Sequence, residues 1–93
     1  MSFLVSDVSF DPEAMHVALA DGRTIKTPLW HYPRLYDATP EQRADYRASP
    51  YGLHWEVIDE DISIEGLLAG KMDNTRRGRA RRAEIEAAMH AAE

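Results

Sequence analysis

The chain contains no cysteine, which excludes a disulfide framework, a thiolate metal site and a thiol nucleophile. It has no apolar run near the roughly 20 residues that cross a membrane, and residues 1–7 carry no basic segment of an export signal. Leucine, isoleucine, valine and phenylalanine together supply only 18 of the 93 residues, which is close to the compositional border between folded and disordered chains. We therefore expect one small cytoplasmic domain with a thin core, and no large cofactor-binding enzyme.

The net charge of -5 conceals an uneven distribution along the chain. Residues 1–70 contain 5 basic and 12 acidic side chains, whereas residues 71–93 contain 6 basic and 4 acidic ones. Gly70 also precedes a stretch without hydrophobic periodicity, so it is the natural boundary. The sequence predicts an acidic α+β domain over residues 1–70 and an arginine-rich tail with an alanine-rich helix over residues 71–93.

The first third of the domain has the alternation of antiparallel strands. One strand-like segment contains Phe3 and Phe10, and a second alternates apolar residues over 15–19. Asp21-Gly22 follows, and this pair favours a two-residue hairpin turn in which both central residues have positive φ. With a return strand over residues 23–29, the pattern predicts a three-stranded antiparallel meander.

The middle of the domain carries helix signals. Pro33 suits the first position of a short helical turn that ends at Tyr36, and residues 39–42 (TPEQ) form a capping box that predicts a helix over residues 40–48. Residues 53–57 alternate as a short strand. Acidic residues then precede an apolar segment that predicts a two-turn helix over residues 62–69, with Asp59 and Asp61 near its start and Gly70 after its end.

Three sequence blocks resemble the bacterial domain-of-unknown-function family 2442. They are residues 33–35 (PRL), 38–43 (ATPEQR) and 52–68 (GLHWEVIDEDISIEGLL), and the resemblance extends over about residues 5–70. It implies a small α+β fold without established catalytic chemistry. It also implies a role like that of the antitoxin in toxin–antitoxin pairs, or of a module preceding a helix-turn-helix domain. The 23 residues after Gly70 are too few for a three-helix DNA-binding domain, so we do not carry over operator binding.

Aromatic and arginine residues in the middle of the chain predict a protein-binding surface, because tyrosine, tryptophan and arginine are enriched at interface hot spots. The alternative is that most of these rings form the core, which we expect for Trp55. The acidic triplet 59–61 is a second candidate surface for a basic partner. The predicted partner-binding residues are Arg34, Tyr36, Arg43, Arg47, Tyr51, Asp59, Glu60 and Asp61.

The tail concentrates positive charge in residues 76–82 (RRGRARR), which can bind a phosphate backbone, anionic lipid or an acidic protein face. The candidate nucleic-acid-binding residues are Arg76, Arg77, Arg79, Arg81 and Arg82. On a helix these arginines surround the axis, and Gly78 weakens the helix, so the pattern favours a flexible arm. Residues 83–92 favour a helix with a narrow apolar face that includes Ile85, Met89 and Ala92. An unstructured solubilising tail is the alternative.

Catalytic and metal sites are poorly supported by the sequence. His54 with Glu56 and the acidic triplet 59–61 has the right ligand types for a divalent ion, but no pair of histidines has metal-binding spacing, and helix capping explains the acids equally well. The sequence has no nucleophile elbow, phosphate loop or dinucleotide fingerprint. We expect no metal, no cofactor and no enzymatic activity.

These features predict a non-enzymatic binding protein, antitoxin-like or regulatory, that acts through a basic protein partner such as a cognate toxin. One alternative is a nucleic-acid-binding regulator that uses the arginine-rich tail. Another is a phage-type inhibitor whose acidic face mimics nucleic acid. A homodimer is compatible with the narrow apolar face of the last helix, and no membrane association is expected.

Overall fold

The fold is a small α+β arrangement, as the sequence predicts, and the computed structural model describes residues 4–91. Its first sheet pairs β1 (Val5–Phe10), β2 (Ala14–Leu19) and β3 (Thr24–Pro28) in the order β1-β2-β3, with both pairs antiparallel. This confirms the meander. Phe3 and Ala92, which were assigned to the first strand and the last helix face, lie outside the described residues.

The hairpin between β2 and β3 forms at the predicted place with a different turn. Leu19 donates its N–H to the Arg23 carbonyl at 2.8 Å, so three residues form the loop. Gly22 has a φ of +96°, whereas Asp21 is not in the left-handed region. The expectation of two positive φ angles was therefore wrong: a three-residue loop needs only one left-handed residue, and glycine supplies it.

A second sheet pairs β4 (Arg47–Ala48), β5 (Gly52–Trp55) and β6 (Glu60–Ser63), again antiparallel and in chain order. Its formation shortens the predicted helix over residues 40–48 to α2 (Pro40–Ala44), although the capping box of Thr39 and Gln42 is present. The Trp55 indole N–H donates to the Arg43 carbonyl at 2.9 Å. The helix ends at Ala44, and the residues of β4 adopt an extended conformation because they pair with β5. The expected strand over residues 53–57 also ends early, and Val57 is 69% exposed.

The predicted helix over residues 62–69 begins later, at α3 (Ile64–Leu68), because residues 60–63 pair with β5. Ser63 is the N-cap, and its hydroxyl accepts from the Gly66 N–H at 2.9 Å. The assignment of Asp59 and Asp61 to this capping role was wrong. The end of the helix is as predicted: Gly70 has a φ of +73°, and its N–H and that of Lys71 donate to the carbonyls of Leu67 and Gly66.

The core lies between the two sheets and the helices that connect them. After β3, a 3-10 turn (Leu29–His31) leads into α1 (Pro33–Tyr36), which is the predicted short helix. The most completely buried large side chains come from nearly every element: Met15, Val17, Leu29, Leu35, Trp55 and Ile64. Trp55 is 1% exposed, which confirms that it belongs to the core. No helix within residues 4–91 is both long and apolar enough to cross a membrane.

The arginine-rich segment belongs to a long helix, α4 (Arg76–Ala91), which packs on α1 and on the 3-10 turn. The expectation of a flexible arm was therefore wrong. Thr75 caps the helix by accepting the Gly78 N–H at 3.0 Å, and Ile85 is buried against the body. Arg81 adds a two-point ion pair with Asp37, with N···O distances of 2.8 and 2.9 Å. The division into a domain over residues 1–70 and a tail over residues 71–93 remains a prediction from the sequence.

Candidate acidic cleft

A cleft of about 440 Å³ opens where β6, the start of α1 and the segment before α4 meet. Asp59, Glu60 and Asp61 contribute from β6 and its preceding turn, and Arg34 contributes from α1. The opposite wall is formed by residues 71–75. The cleft thus gathers four carboxylates, Asp73 included, and two cationic side chains, those of Arg34 and Lys71. We call it the acidic cleft.

Glu60 is the unusual residue of the acidic cleft. Its side chain is buried, with the residue only 6% exposed, and Oε2 has no hydrogen-bond partner within residues 4–91. A carboxylate in such a place is expensive to ionise, because Oε2 has lost water without gaining a hydrogen-bond donor in its place. Burial, reinforced by the Asp73 carboxylate, raises the pKa of Glu60 to about 7. The Arg34 guanidinium and the Asp61 amide oppose this change.

The strand register explains why Glu60 is buried beside exposed acids. In β6, residues 60 and 62 point to the core side and residues 61 and 63 to the solvent side, since side chains alternate along a strand. Asp59 occupies the turn before the strand with a φ of +52°, a conformation that aspartate tolerates better than most residues. Its carbonyl accepts a hydrogen bond from Arg34. Local alternation thus places one acid of the triplet inside and two outside.

The opposite wall of the acidic cleft is held in place by backbone contacts. The Tyr32 hydroxyl donates to the Lys71 carbonyl at 2.7 Å, and the Asp73 N–H donates to the His31 carbonyl at 3.0 Å. Arg82, from α4, donates to the Asp73 carbonyl at 3.2 Å. Burial, together with the charges of the cleft, raises the pKa of Tyr32 to about 12. This wall is therefore part of the folded body.

The hydroxyl groups around the acidic cleft are already engaged in structural contacts. The Ser63 hydroxyl caps α3, and the Thr75 hydroxyl donates to Asp73 at 2.7 Å while it accepts from Gly78. The Tyr32 hydroxyl is used as described above. Glu60, by contrast, has a free oxygen, so its carboxyl group can exchange a proton near neutrality or pair with a cation that enters the cleft.

The histidine beside the acidic triplet is hydrogen-bonded to one of its members. His54 and Asp61 are cross-strand neighbours in β5 and β6, and Nδ1 of the histidine lies 2.7 Å from Oδ1 of the aspartate. Glu56 is exposed in the turn that follows β5. Within residues 4–91, histidine and carboxylate side chains form no group of three that could hold a metal ion.

The remaining predicted partner-binding residues are distributed over other surfaces. Arg43 donates to the carbonyls of Leu35 and Tyr36 at 2.8 and 2.9 Å, so it supports the end of α1. Arg47 and Tyr51 line a shallow depression beside the second sheet, and Tyr51 is 67% exposed. Tyr36 lies in a separate groove on the face that contains β3 and the end of α4. The acidic cleft therefore unites only Arg34 with the acidic triplet.

The five predicted nucleic-acid-binding arginines fall into two groups. Arg81 and Arg82 are tied to the body through Asp37, Asp73 and the Met72 sulfur. The other three, Arg76, Arg77 and Arg79, are exposed in the first turn of α4, and no side-chain hydrogen bond or ion pair of theirs is described within residues 4–91.

Sequence reasoning missed the wall formed by Tyr32, Lys71 and Asp73. Lys71 and Asp73 come close to Glu60 because the segment after α3 is held against the body by its hydrogen bonds with Tyr32 and His31. One local signal was available: Asp73-Asn74-Thr75 before an arginine-rich segment has the residue types that precede a helix. That signal indicates where α4 begins, but it does not indicate which surface the helix packs on.

The solved structures and the protein family that this chain resembles are all of unknown function. A solution structure of an uncharacterised protein from Chromobacterium violaceum is 27% identical, with a TM-score of 0.66 over 78% of this chain and 71% of that one. A crystal structure of a protein of unknown function from Rhodospirillum rubrum is 28% identical, with a TM-score of 0.67 over 83% of this chain and 96% of that one. No curated protein matches the chain. The model of the family "Protein of unknown function (DUF2442)" matches residues 5–73, so this chain belongs to that family.

Proposed function

We propose that this protein is a non-enzymatic binding protein, antitoxin-like or regulatory, that holds a basic surface of a partner protein at the acidic cleft. The observation that carries the proposal is the unpartnered, buried Oε2 of Glu60 between Asp59, Asp61 and Asp73. Proteins rarely retain an unsatisfied buried charge, and those that do often use it for binding or catalysis. The engaged hydroxyl groups of the cleft favour binding over nucleophilic chemistry.

The overall charge supports the same proposal. Residues 1–70 carry an excess of seven acidic side chains, and complementary charge speeds association and disfavours wrong partners. A basic partner such as a nuclease-type toxin has a surface that attracts nucleic acid. An acidic domain can occupy that surface and exclude the nucleic acid.

The test is co-expression of the full chain with the product of the neighbouring gene, followed by purification and a growth assay. We expect a complex, and relief of any toxicity that the neighbouring product causes alone. Asp59→Asn removes one charge from the cleft and retains a residue that tolerates positive φ, so it should weaken the complex. Glu41→Gln, on α2 and outside the cleft, is the matched control. A neighbouring product that is harmless and does not bind would contradict the proposal.

A second candidate function, nucleic-acid binding, is favoured by the exposed group Arg76, Arg77 and Arg79. Because Arg81 and Arg82 are engaged with the body, only three arginines are available for phosphates. We therefore expect a log–log salt slope no steeper than about -3 on duplex DNA. Replacing all three by alanine should abolish retention, whereas Lys26→Ala should not. The absence of retention at low salt would contradict this candidate.

A further inference from the structure

The acidic cleft is lined by charged residues of both signs, and the buried Glu60 is one of them. Asp59 and Arg34 lie beside each other at the start of β6, and Asp73 and Lys71 belong to the opposite wall. We propose that the partner inserts a single arginine side chain into the acidic cleft, where its guanidinium pairs with the carboxylate of Glu60. This inference rests on the proposed function, and it names the group that the cleft recognises.

The need for a cation follows from the contacts of Glu60. Its Oε2 receives no hydrogen bond within residues 4–91, although the residue is only 6% exposed. The guanidinium of Arg34, which acts on Glu60 through its charge, donates to the Asp59 carbonyl. Oε2 is closed to solvent in the unbound protein, so the carboxyl group must turn toward the cleft that it lines to meet an incoming donor, and Oε2 then gains that donor without losing a hydrogen bond.

A guanidinium suits this position better than an ammonium group. Arginine presents its N–H groups in a planar fork, which can give a carboxylate two parallel hydrogen bonds, and its head is less strongly hydrated than that of lysine. Both properties matter at a buried carboxylate, where the incoming ion must lose water. The volume of about 440 Å³ also leaves room for the aliphatic part of the side chain and adjoining backbone.

The two cationic residues that line the cleft, Arg34 and Lys71, disfavour a ligand with several adjacent positive charges. Arg34 and Lys71 would repel further positive charges that lie beside the one bound to Glu60. A polyamine or a run of basic residues therefore fits inside the cleft less well than one arginine whose immediate neighbours are uncharged, while the rest of the partner's basic surface faces the acidic body outside the cleft. The partner segment that we infer is thus a protein loop or terminus with an isolated arginine.

Binding should depend on pH through Glu60. The titratable and charged groups around it are Asp73, Lys71 and Tyr32 across the cleft, Asp61 beside it, and the cationic Arg34. Burial and the Asp73 carboxylate raise the pKa of Glu60 to about 7, so a bound guanidinium must displace a proton in neutral or acidic solution. Because the ionised fraction falls about tenfold per pH unit below that value, affinity for an arginine ligand should be about tenfold weaker at pH 6 than at pH 8.

The probe is a blocked peptide with one arginine between alanines, titrated into the full ¹⁵N-labelled chain and followed by backbone amide shifts of Asp61, Ile62 and Gly66. We expect saturable shifts at pH 8 that weaken about tenfold at pH 6. A peptide with citrulline, the uncharged analogue of arginine, should give no such shifts. Glu60→Gln should abolish the response, and Glu41→Gln should leave it unchanged.

Asp73→Asn gives a second readout that does not depend on replacing Glu60. The amide oxygen can still accept the hydrogen bonds from Thr75, so the wall is retained. Loss of the Asp73 charge removes one cause of the raised pKa of Glu60, and the pH midpoint of peptide binding should fall below that of the wild type. An unchanged midpoint would contradict the role assigned to Glu60.

Several results would overturn the inference. They are an equal response to the citrulline peptide, retention of binding by Glu60→Gln, and absence of saturable shifts at pH 8. Equal affinity for a lysine peptide or spermidine would refute the selection of arginine. If the protein complex is weakened by Asp59→Asn but is insensitive to Glu60→Gln, this inference fails while binding at the acidic cleft stands. If the arginine peptide binds but no protein partner does, the proposed function fails instead.

Discussion

Replacement of Glu60 by glutamine should stabilise the protein relative to the wild type, and this difference in the free energy of unfolding should grow as the pH rises. The native protein binds a proton at Glu60 up to about pH 7, whereas the unfolded chain releases it near the ordinary pKa of 4.5. Between these values the native state holds more protons than the unfolded state, so stability falls with increasing pH. The penalty is absent below pH 4.5 and complete above about pH 7.

The magnitude follows from the difference between the two pKa values. At about 1.4 kcal/mol per pKa unit, a rise from 4.5 to about 7 corresponds to about 3 kcal/mol. Because Glu60 lines an open cleft whose water screens part of its charge, about 3 kcal/mol is the upper limit of the effect. For a domain of this size, about 3 kcal/mol is a large share of the total free energy of unfolding.

The assay is urea unfolding of the wild type and of Glu60→Gln, from about pH 4 to about pH 8. The free-energy difference between variant and wild type should shift in favour of the variant by up to about 3 kcal/mol across this range. Any cost of burying the glutamine amide is the same at each pH, so it does not affect the slope. A difference that stays constant with pH would refute the reasoning, since Glu60 would then be solvated or paired in the native state.

Two further variants test how α4 is attached to the body. Gly78→Ala should destabilise the protein by about 1–2 kcal/mol even though alanine favours helix, because its Cβ would overlap the Asp73 carboxylate, which two hydrogen bonds from Thr75 hold in place. Thermal unfolding followed by circular dichroism measures this. The exposed control Ala80→Gly should lose only about 1 kcal/mol from helix propensity, and a stabilised Gly78→Ala would contradict the packing. Ile85→Ala should cost about 2–4 kcal/mol in urea unfolding, whereas the exposed control Met89→Ala should cost less than about 0.5 kcal/mol. Equal effects of the last two would show that Ile85 is not buried by the body.

Several helix ends and the hairpin could be predicted from the sequence, because the contacts that form them lie within a few residues. Thr39 and Gln42 form their capping box inside one helical turn, and Gly70 ends α3 through its own backbone conformation. Gly22 allows the loop between β2 and β3 in the same way. Such features depend little on what packs against them.

The elements that were predicted incorrectly are those in which a distant segment competes with a local preference. Residues 60–63 have acidic and apolar residues that suit a helix start, but pairing with β5 and burial of Ile62 favour a strand. The predicted end of α2 failed for the same reason, because β4 and Trp55 draw the chain away after Ala44. Hydrogen bonds and apolar burial across a sheet outweigh the few tenths of a kcal/mol per residue of helix propensity.

The properties of the candidate site also fall into those that local sequence determines and those that depend on distant contacts. The sequence by itself determined that residues 59–61 are acidic, that the chain carries a negative body, and that residues 76–82 are rich in arginine. Only the tertiary structure decided that Glu60 is buried without a partner, that Asp73 and Lys71 face it, and that two of the five arginines are engaged with the body. These properties come from contacts between residues far apart in the chain, and no local pattern encodes which distant groups remove water from a given side chain.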